Sequence, residues 1–261
     1  MAAALLLLSA CAPQSVAPMG ERPTIVSLNP CSDAVLAQTT APGQLLAISH
    51  YSHDPRSTSM DLATARRYRT TGGTVEEVLA LDPDVVVASS FIAPATRAAL
   101  TDLGIRVETV GIAGSVADSV AQVRQLAALA GDPAAGEALV RRIERAARPV
   151  AGEPVDTALW QAGGIVPGEG ALVADLMRRA GLASHSAKRG MGQADYLPLE
   201  RVLADPPELL LVAGSERGQS HPALAALPQT RVAHFDPALT YCGGPTIPRA
   251  MERLKTLRAS S

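Results

Sequence analysis

Aromatic residues are scarce in this chain. One Trp, two Phe and four Tyr make up 3% of its 261 residues. The core must therefore be largely aliphatic, and an aromatic in a loop calls for a reason. Charge is also modest: 18% of residues are charged and the net charge is −2. No basic cluster exceeds a pair such as Arg66-Arg67 or Arg141-Arg142, which argues against nucleic acid as a partner. The motifs of covalent and phosphoryl chemistry are missing: no G-x-S-x-G elbow, no G-x-x-x-x-G-K-[ST] loop and no H-E-x-x-H. Gly168-Glu169-Gly170 lacks the third glycine of a dinucleotide fingerprint and reads as a plain loop. No catalytic residue, resident metal or cofactor is expected, and a cleft enzyme of doubly wound type is the weakest reading.

What is present begins with an export signal. Leu5–Leu8 is an apolar run too brief to span a bilayer. Leu8-Ser9-Ala10-Cys11 matches the lipobox of bacterial lipoproteins, in which the cysteine becomes the lipidated first residue. An ordinary cleaved secretory signal is the alternative, and both readings export the protein. Residues 1–22 are thus signal and flexible tether. Cys31 and Cys242 remain. In an oxidising compartment they can pair, but spacing alone does not decide whether their Cα atoms approach closely enough.

The fold is organised around Thr71–Ser90. Gly72-Gly73 breaks the chain, Thr74 and Glu77 form a capping box, and Pro83 stops the short helix. Val85–Ala88 then reads as a strand buried on both faces of a parallel sheet. Residues 198–214 repeat the unit: Glu76 matches Glu200, Pro83 matches Pro207, and Val85–Val87 match Leu209–Leu211. Two α/β lobes of related design follow.

The first lobe, residues 23–112, has strands at Thr24–Leu28, Leu45–Ser49, Val85–Ala88 and Arg106–Val110. Ser32 or Asp33 is expected to cap a helix running to Gln38. Residues 113–150 connect the lobes through helices at Ser115–Ala130 and, behind Asp132-Pro133, to Ala147. The second lobe, residues 151–261, has strands at Val155–Trp160, Leu209–Leu211 and Arg231–Phe235, and a closing helix over Thr246–Leu257. In open α/β sheets the loops after strands bind ligands. Those loops carry Pro30, Cys31 and Ser32; His50 and Tyr51; Ser90 and Phe91; and Tyr241 and Cys242.

Tyr51, Phe91, Trp160, Tyr196 and Tyr241 are five of the seven aromatics. All are expected in loops after strands or just before the repeated unit, where they can form the wall of a bulky ligand site. His50, His53 and Asp54 read either as metal ligands or as a hydrogen-bonded loop. His185, His221 and His234 are expected at the surface. Glu76 and Glu200 sit in helix first turns, where the dipole favours them; as exposed acids, one per lobe, they also suit docking on a basic partner.

The segments SLNPCSDAVL, AISHYSHDP, GGTVEEVLALDPDVVVAS and LGIRVETVG, in this order, resemble the periplasmic substrate-binding proteins of ABC importers for iron–siderophore, haem and cobalamin. The resemblance spans about residues 23–257. It implies two α/β lobes with mainly parallel sheets, joined by a single long backbone helix, with a ligand cleft between them and little hinge closure. It implies that Glu76 and Glu200 meet arginines of an ABC permease in the inner membrane. It places ligand contacts near Pro30, Tyr51, Phe91, Trp160, Tyr241 and Arg249, with Cys31, His50 and Cys242 also at cleft positions. The expected protein is a monomeric periplasmic receptor that captures a metal chelate, cobalamin or a ferric siderophore, and hands it to the permease. The alternative is a receptor for haem or for a metal ion held directly by His50, His53, Tyr241 or Cys242.

Overall fold

Apolar runs bounded by turns build two parallel sheets. The computed structural model describes residues 22–260, so Cys11 and the tether lie outside the described residues. In the first lobe β1 (Ile25–Ser27), β2 (Leu45–Ser49), β3 (Thr70–Thr71), β4 (Val85–Ser89) and β5 (Arg106–Val110) form an all-parallel sheet in the order β3-β2-β1-β4-β5. Parallel strands need crossovers, supplied by α1 (Pro30–Thr39), α2 (Leu62–Ala65), α3 (Val75–Leu79) and α4 (Pro94–Asp102). Val85, Val86 and Val87 are fully buried, as their β-branched run required.

The connection is helical, but in place of the single long backbone helix that the resemblance implies it consists of two packed helices, α5 (Val116–Leu129) and α6 (Pro133–Ala146), separated at Gly131-Asp132. Ser115 and Asp132 cap them by accepting from Asp118 N and Ala135 N. They pack closely at Gly136, where a Cβ would lie 2.4 Å from that of Ala127. A side chain at that position would push the two helices apart.

The second lobe holds β6 (Val155–Gln161), β7 (Leu182–Ser184), β8 (Leu209–Ala213) and β9 (Arg231–His234), all parallel, in the order β7-β6-β8-β9. Its helices are α7 (Leu172–Arg179), α8 (Leu199–Ala204) and α9 (Thr246–Ala259). The repeated unit is α3–β4 in one lobe and α8–β8 in the other, and both strands lie inside their sheets.

One aliphatic core runs through both lobes. Val35 and Leu36 of α1, Val123 of α5, Ile143 of α6, Leu176 of α7 and Leu254 of α9 belong to a single buried cluster. Burial of such side chains contributes roughly 1.5–3 kcal/mol each, so the lobes do not stand as independent units.

Three expectations are corrected. Asn29, not Ser32 or Asp33, caps α1: its Oδ1 accepts from Cys31 N at 2.8 Å and Ser32 N at 3.3 Å. Pro30 at the first helical position needs no acceptor for an N–H, and Ser32 and Asp33 turn inward. The short strands β3 and β7 are absent from the sequence expectation, because two or three residues carry too little pattern. His185 is buried, not at the surface; its Nδ1 meets Asp156 Oδ2 at 2.6 Å and its Nε2 meets the Asp205 carbonyl at 3.1 Å.

Candidate functional site

The carboxyl ends of β1, β4 and β5 and the loop after β9 line a cleft between the lobes. Its floor is a cavity of about 150 Å³ lined by Asn29, Cys31 and Ser32 after β1, Ser89 at the end of β4 and Phe91 beyond it, and Gly111–Ala113 after β5. The second lobe contributes Tyr241, Gly243 and Gly244 after β9, and α5 contributes Ser119, Gln122 and Leu126. Every lining residue is uncharged. Pockets that enclose a drug-sized ligand run to ~300–1,000 Å³, so a larger guest would rest on this floor and rise against the rim.

The rim is apolar and aromatic. Phe91 is 75% exposed, on a loop whose backbone is fixed by Phe91 N donating to Ser89 Oγ and Ser90 N to the Val110 carbonyl. Tyr241, from the opposite lobe, is 57% exposed, and Ile112 is exposed beside the floor. An outer pocket shares Asn29, Cys31 and Tyr241 with the floor and adds Pro30, Arg56, Ser57 and Cys242. Arg56 pairs with Asp54 at 3.1 Å on the surface, where such a bond is worth little.

Cys31 and Cys242 form a disulfide, with Cα atoms 5.1 Å apart, which joins the first turn of α1 to the loop after β9. Two hydrogen bonds reinforce that junction. Gly244 N donates to Ser119 Oγ at 2.7 Å, and Thr246 Oγ1 donates to the Ser59 carbonyl at 3.3 Å. Gly244 has φ +58°, and a Cβ there would meet Val35 at 2.8 Å, so the tight approach of this loop to α1 depends on glycine. The floor of the cleft is thus stapled covalently and by hydrogen bonds.

His50 and Tyr51 follow β2 in a 3₁₀ turn, His50–His53, with their rings 4.1 Å apart. Both side chains are exposed. His50 Nδ1 meets the Thr71 carbonyl at 3.3 Å and His53 Nε2 the Ala65 carbonyl at 3.0 Å. The hydrogen-bonded-loop reading of this segment therefore describes it. Cys242 is committed to the disulfide and is not available as a thiolate ligand, a correction to the direct-metal alternative. Among the described residues no group of three or more His, Cys, Asp or Glu is placed to hold a metal ion.

Two further placements are corrected. Trp160 is not in a loop: it lies in β6, 3% exposed, with its indole N–H donated to the Leu197 carbonyl at 2.9 Å. Arg249 is exposed on α9 and lines a separate pocket with Gln38, Met60 and Asp61, apart from the cleft floor. Tyr196 is exposed and bridges to Ile165, beyond the carboxyl end of β6. Asn29, Ile112, Ser119 and Gln122 line the floor without having been singled out. Asn29-Pro30 was the one local signal, since an N-cap followed by proline fixes where the helix begins.

Glu76 and Glu200 are exposed in the first turns of α3 and α8, at matching positions of the two lobes. Neighbouring Glu77 is tied down by Thr71 Oγ1, Gly72 N and Gly73 N, which hold its carboxyl below the usual range. Glu76 is left to face solvent.

A family model described as periplasmic binding protein matches residues 25–235. Among solved structures, the chain is similar to the apo periplasmic haem-binding protein RhuT from Roseiflexus sp. RS-1, with 20% identity and TM-score 0.67, covering 92% of this chain and 97% of that one. It is similar to the periplasmic haem-binding protein HutB of Vibrio cholerae, with 18% identity and TM-score 0.72, covering 92% and 99%. It is also similar to the periplasmic vitamin B12-binding protein BtuF of Vibrio cholerae, with 16% identity and TM-score 0.67, covering 91% and 96%. At these identities the likeness speaks for the fold. No curated protein matches by sequence.

Proposed function

The chain belongs to the periplasmic binding protein family, and from that premise we propose that it captures a metal chelate in the cleft between its lobes and delivers it to an ABC permease. It works in the periplasm as a single copy, tethered through Cys11. The observation that carries the ligand class is the pairing of exposed Phe91 and Tyr241 from opposite lobes above an uncharged floor. Such a site suits a bulky guest with an apolar or uncharged face, and cobalamin, ringed by neutral amides, fits that description better than a multiply charged ferric siderophore. Haem is the second reading, since Tyr241 offers a phenolic oxygen at the cleft and the exposed rings of His50 and Tyr51 lie on the segment that leads to its outer pocket. Its carboxylates would have to reach Arg56 on the outer rim.

Calorimetric titration with cyanocobalamin, haemin and ferric enterobactin separates these guests. One of them should bind saturably, and Tyr241→Ala together with Phe91→Ala should weaken it by tenfold or more, about 1.4 kcal/mol. Unchanged affinity in the double variant would remove the aromatic rim from the site.

Docking rests on Glu76 and Glu200. Each offers an unencumbered carboxylate from an equivalent helix start, an arrangement that suits paired arginines on the permease. Glu76→Ala with Glu200→Ala should abolish uptake in reconstituted vesicles while ligand affinity stays within about twofold, a change below 0.5 kcal/mol. Normal uptake by the double variant would end this assignment.

A further inference from the structure

The first turn of α1 carries a buried acid, Asp33, that lines neither the cleft floor nor its outer pocket. Asp33 is fully buried. Its Oδ2 accepts from Ser49 N at 3.0 Å and from Ser52 Oγ at 2.6 Å. Both donors belong to the segment that leaves β2, bears Tyr51 and carries Arg56 and Ser57 to the outer pocket of the cleft. Ser49 in turn holds Tyr51 N through its Oγ at 3.3 Å. On its other side, Asp33 Oδ1 faces the Ser27 hydroxyl closely enough for that donor to favour the anion, but neither that contact nor any at the Ser32 hydroxyl reaches ordinary hydrogen-bond geometry. Burial makes the anion costly although the serine and amide donors around it favour it, and the neutral acid can place its own O–H on a serine oxygen.

We infer that Asp33 is the positioning residue of the cleft: it fixes the loop 49–57 through Ser49 and Ser52, and so sets where Arg56 and Ser57 meet a guest. The ligand-contact part rests on the binding role proposed above; the loop-fixing part does not. The groups facing Asp33 are neutral: Ser27 from β1, Ser49 from β2 and Ser52 from the 3₁₀ turn. The histidines of that turn bond elsewhere, to Thr71 and Ala65. On the far side of α1, α5 and α6 bury Val123, Leu139 and Val140, and Arg142 of α6 reaches Gln38 near the other end of α1.

Burial pushes the Asp33 carboxyl up to about 7. Because the folded state binds this proton more tightly than the unfolded chain, its stability contribution is full below about 3.8 and is lost as pH rises through about 7. The wild type should therefore melt higher at pH 6 than at pH 8. Asp33→Asn keeps an acceptor for Ser49 and Ser52 and adds N–H donors for Ser27 or Ser32, and it should lose most of that pH difference.

Hydrogen exchange of the ligand-free full chain tests the positioning role directly. In Asp33→Ala, amides of residues 49–57 should exchange about tenfold faster or more, while those of 241–246 keep wild-type protection. Asp33→Asn should stay near wild type, and Ser52→Ala should give an intermediate rise. Should Asp33→Ala fail to fold, Ser52→Ala carries the test. Wild-type exchange of 49–57 in the alanine variants overturns the inference, as does a uniform rise over the whole chain. With whichever chelate binds the wild type, Asp33→Ala should dissociate faster and Asp33→Asn should not. If no chelate binds the wild type, the binding role falls while the exchange result still decides the part played by Asp33.

Discussion

Replacing Cys31 and Cys242 together by serine should cost this protein more stability than any other two-atom change. The bridge closes a sequence separation of 211 residues. A loop of that length loses conformational entropy worth about 5 kcal/mol in the unfolded state when cross-linked. For a chain of this size the thermal midpoint should fall by roughly 10–20 °C. The same fall should follow reduction by dithiothreitol in the wild type and should be absent when the double serine variant is reduced. Ligand binding should suffer as well, because the bridge holds Tyr241 over the floor that Ser32 and Phe91 line. Scanning calorimetry under oxidising and reducing conditions decides the matter. Superimposed transitions would mean that the Gly244–Ser119 and Thr246–Ser59 hydrogen bonds and the shared core hold the junction unaided.

Trp160→Ala should be the most damaging single core substitution. Trp160 packs with Val166, Leu197, Val212 and Leu224, a cluster on one face of the second sheet. Truncating a buried Trp to Ala typically costs 3–5 kcal/mol, so a loss of about that size is expected. The Leu197 carbonyl would also lose its indole donor. Trp160→Phe restores most of the volume and gives up only the hydrogen bond, roughly 1 kcal/mol. It should leave the affinity for the cognate chelate within about twofold. Denaturant unfolding of both variants, with a ligand titration of Trp160→Phe, checks this. A tenfold loss of affinity in Trp160→Phe with unchanged stability would return Trp160 to the cleft.

Why Trp160 was misread illustrates what a sequence carries. The run Val155–Trp160 shows a strand plainly, but the last inward-facing residue of a strand and the first residue of its loop look alike in a linear string. Which face is packed is settled by Val166 and Leu197, which arrive from other parts of the chain. Arg249 failed for the same reason: the helix was legible, its orientation relative to the cleft was not. Strands such as Leu45–Ser49 and Arg106–Val110 have the bounds expected of them because an apolar run, or charged residues alternating with β-branched ones, between turns is a local signal. The loop positions of Phe91 and Tyr241 followed from them. The pairing of Cys31 with Cys242 has no local signal at that separation, and the buried contact of His185 with Asp156 depends on the register of β6 and β7.

The bridge between Cys31 and Cys242 also makes the protein a covalent ring. Both sheets apart from β1, all of α5 and α6, and every strand-end loop except the one at Asn29-Pro30 lie on or within the circle of chain from residue 31 to 242, while α9 hangs outside it. A single peptide-bond break in any of those loops would open the ring without releasing a fragment. Nicked chains in the periplasm would then stay in one piece, with β1 and α9 still attached to the same covalent body, until a thiol cut the second link.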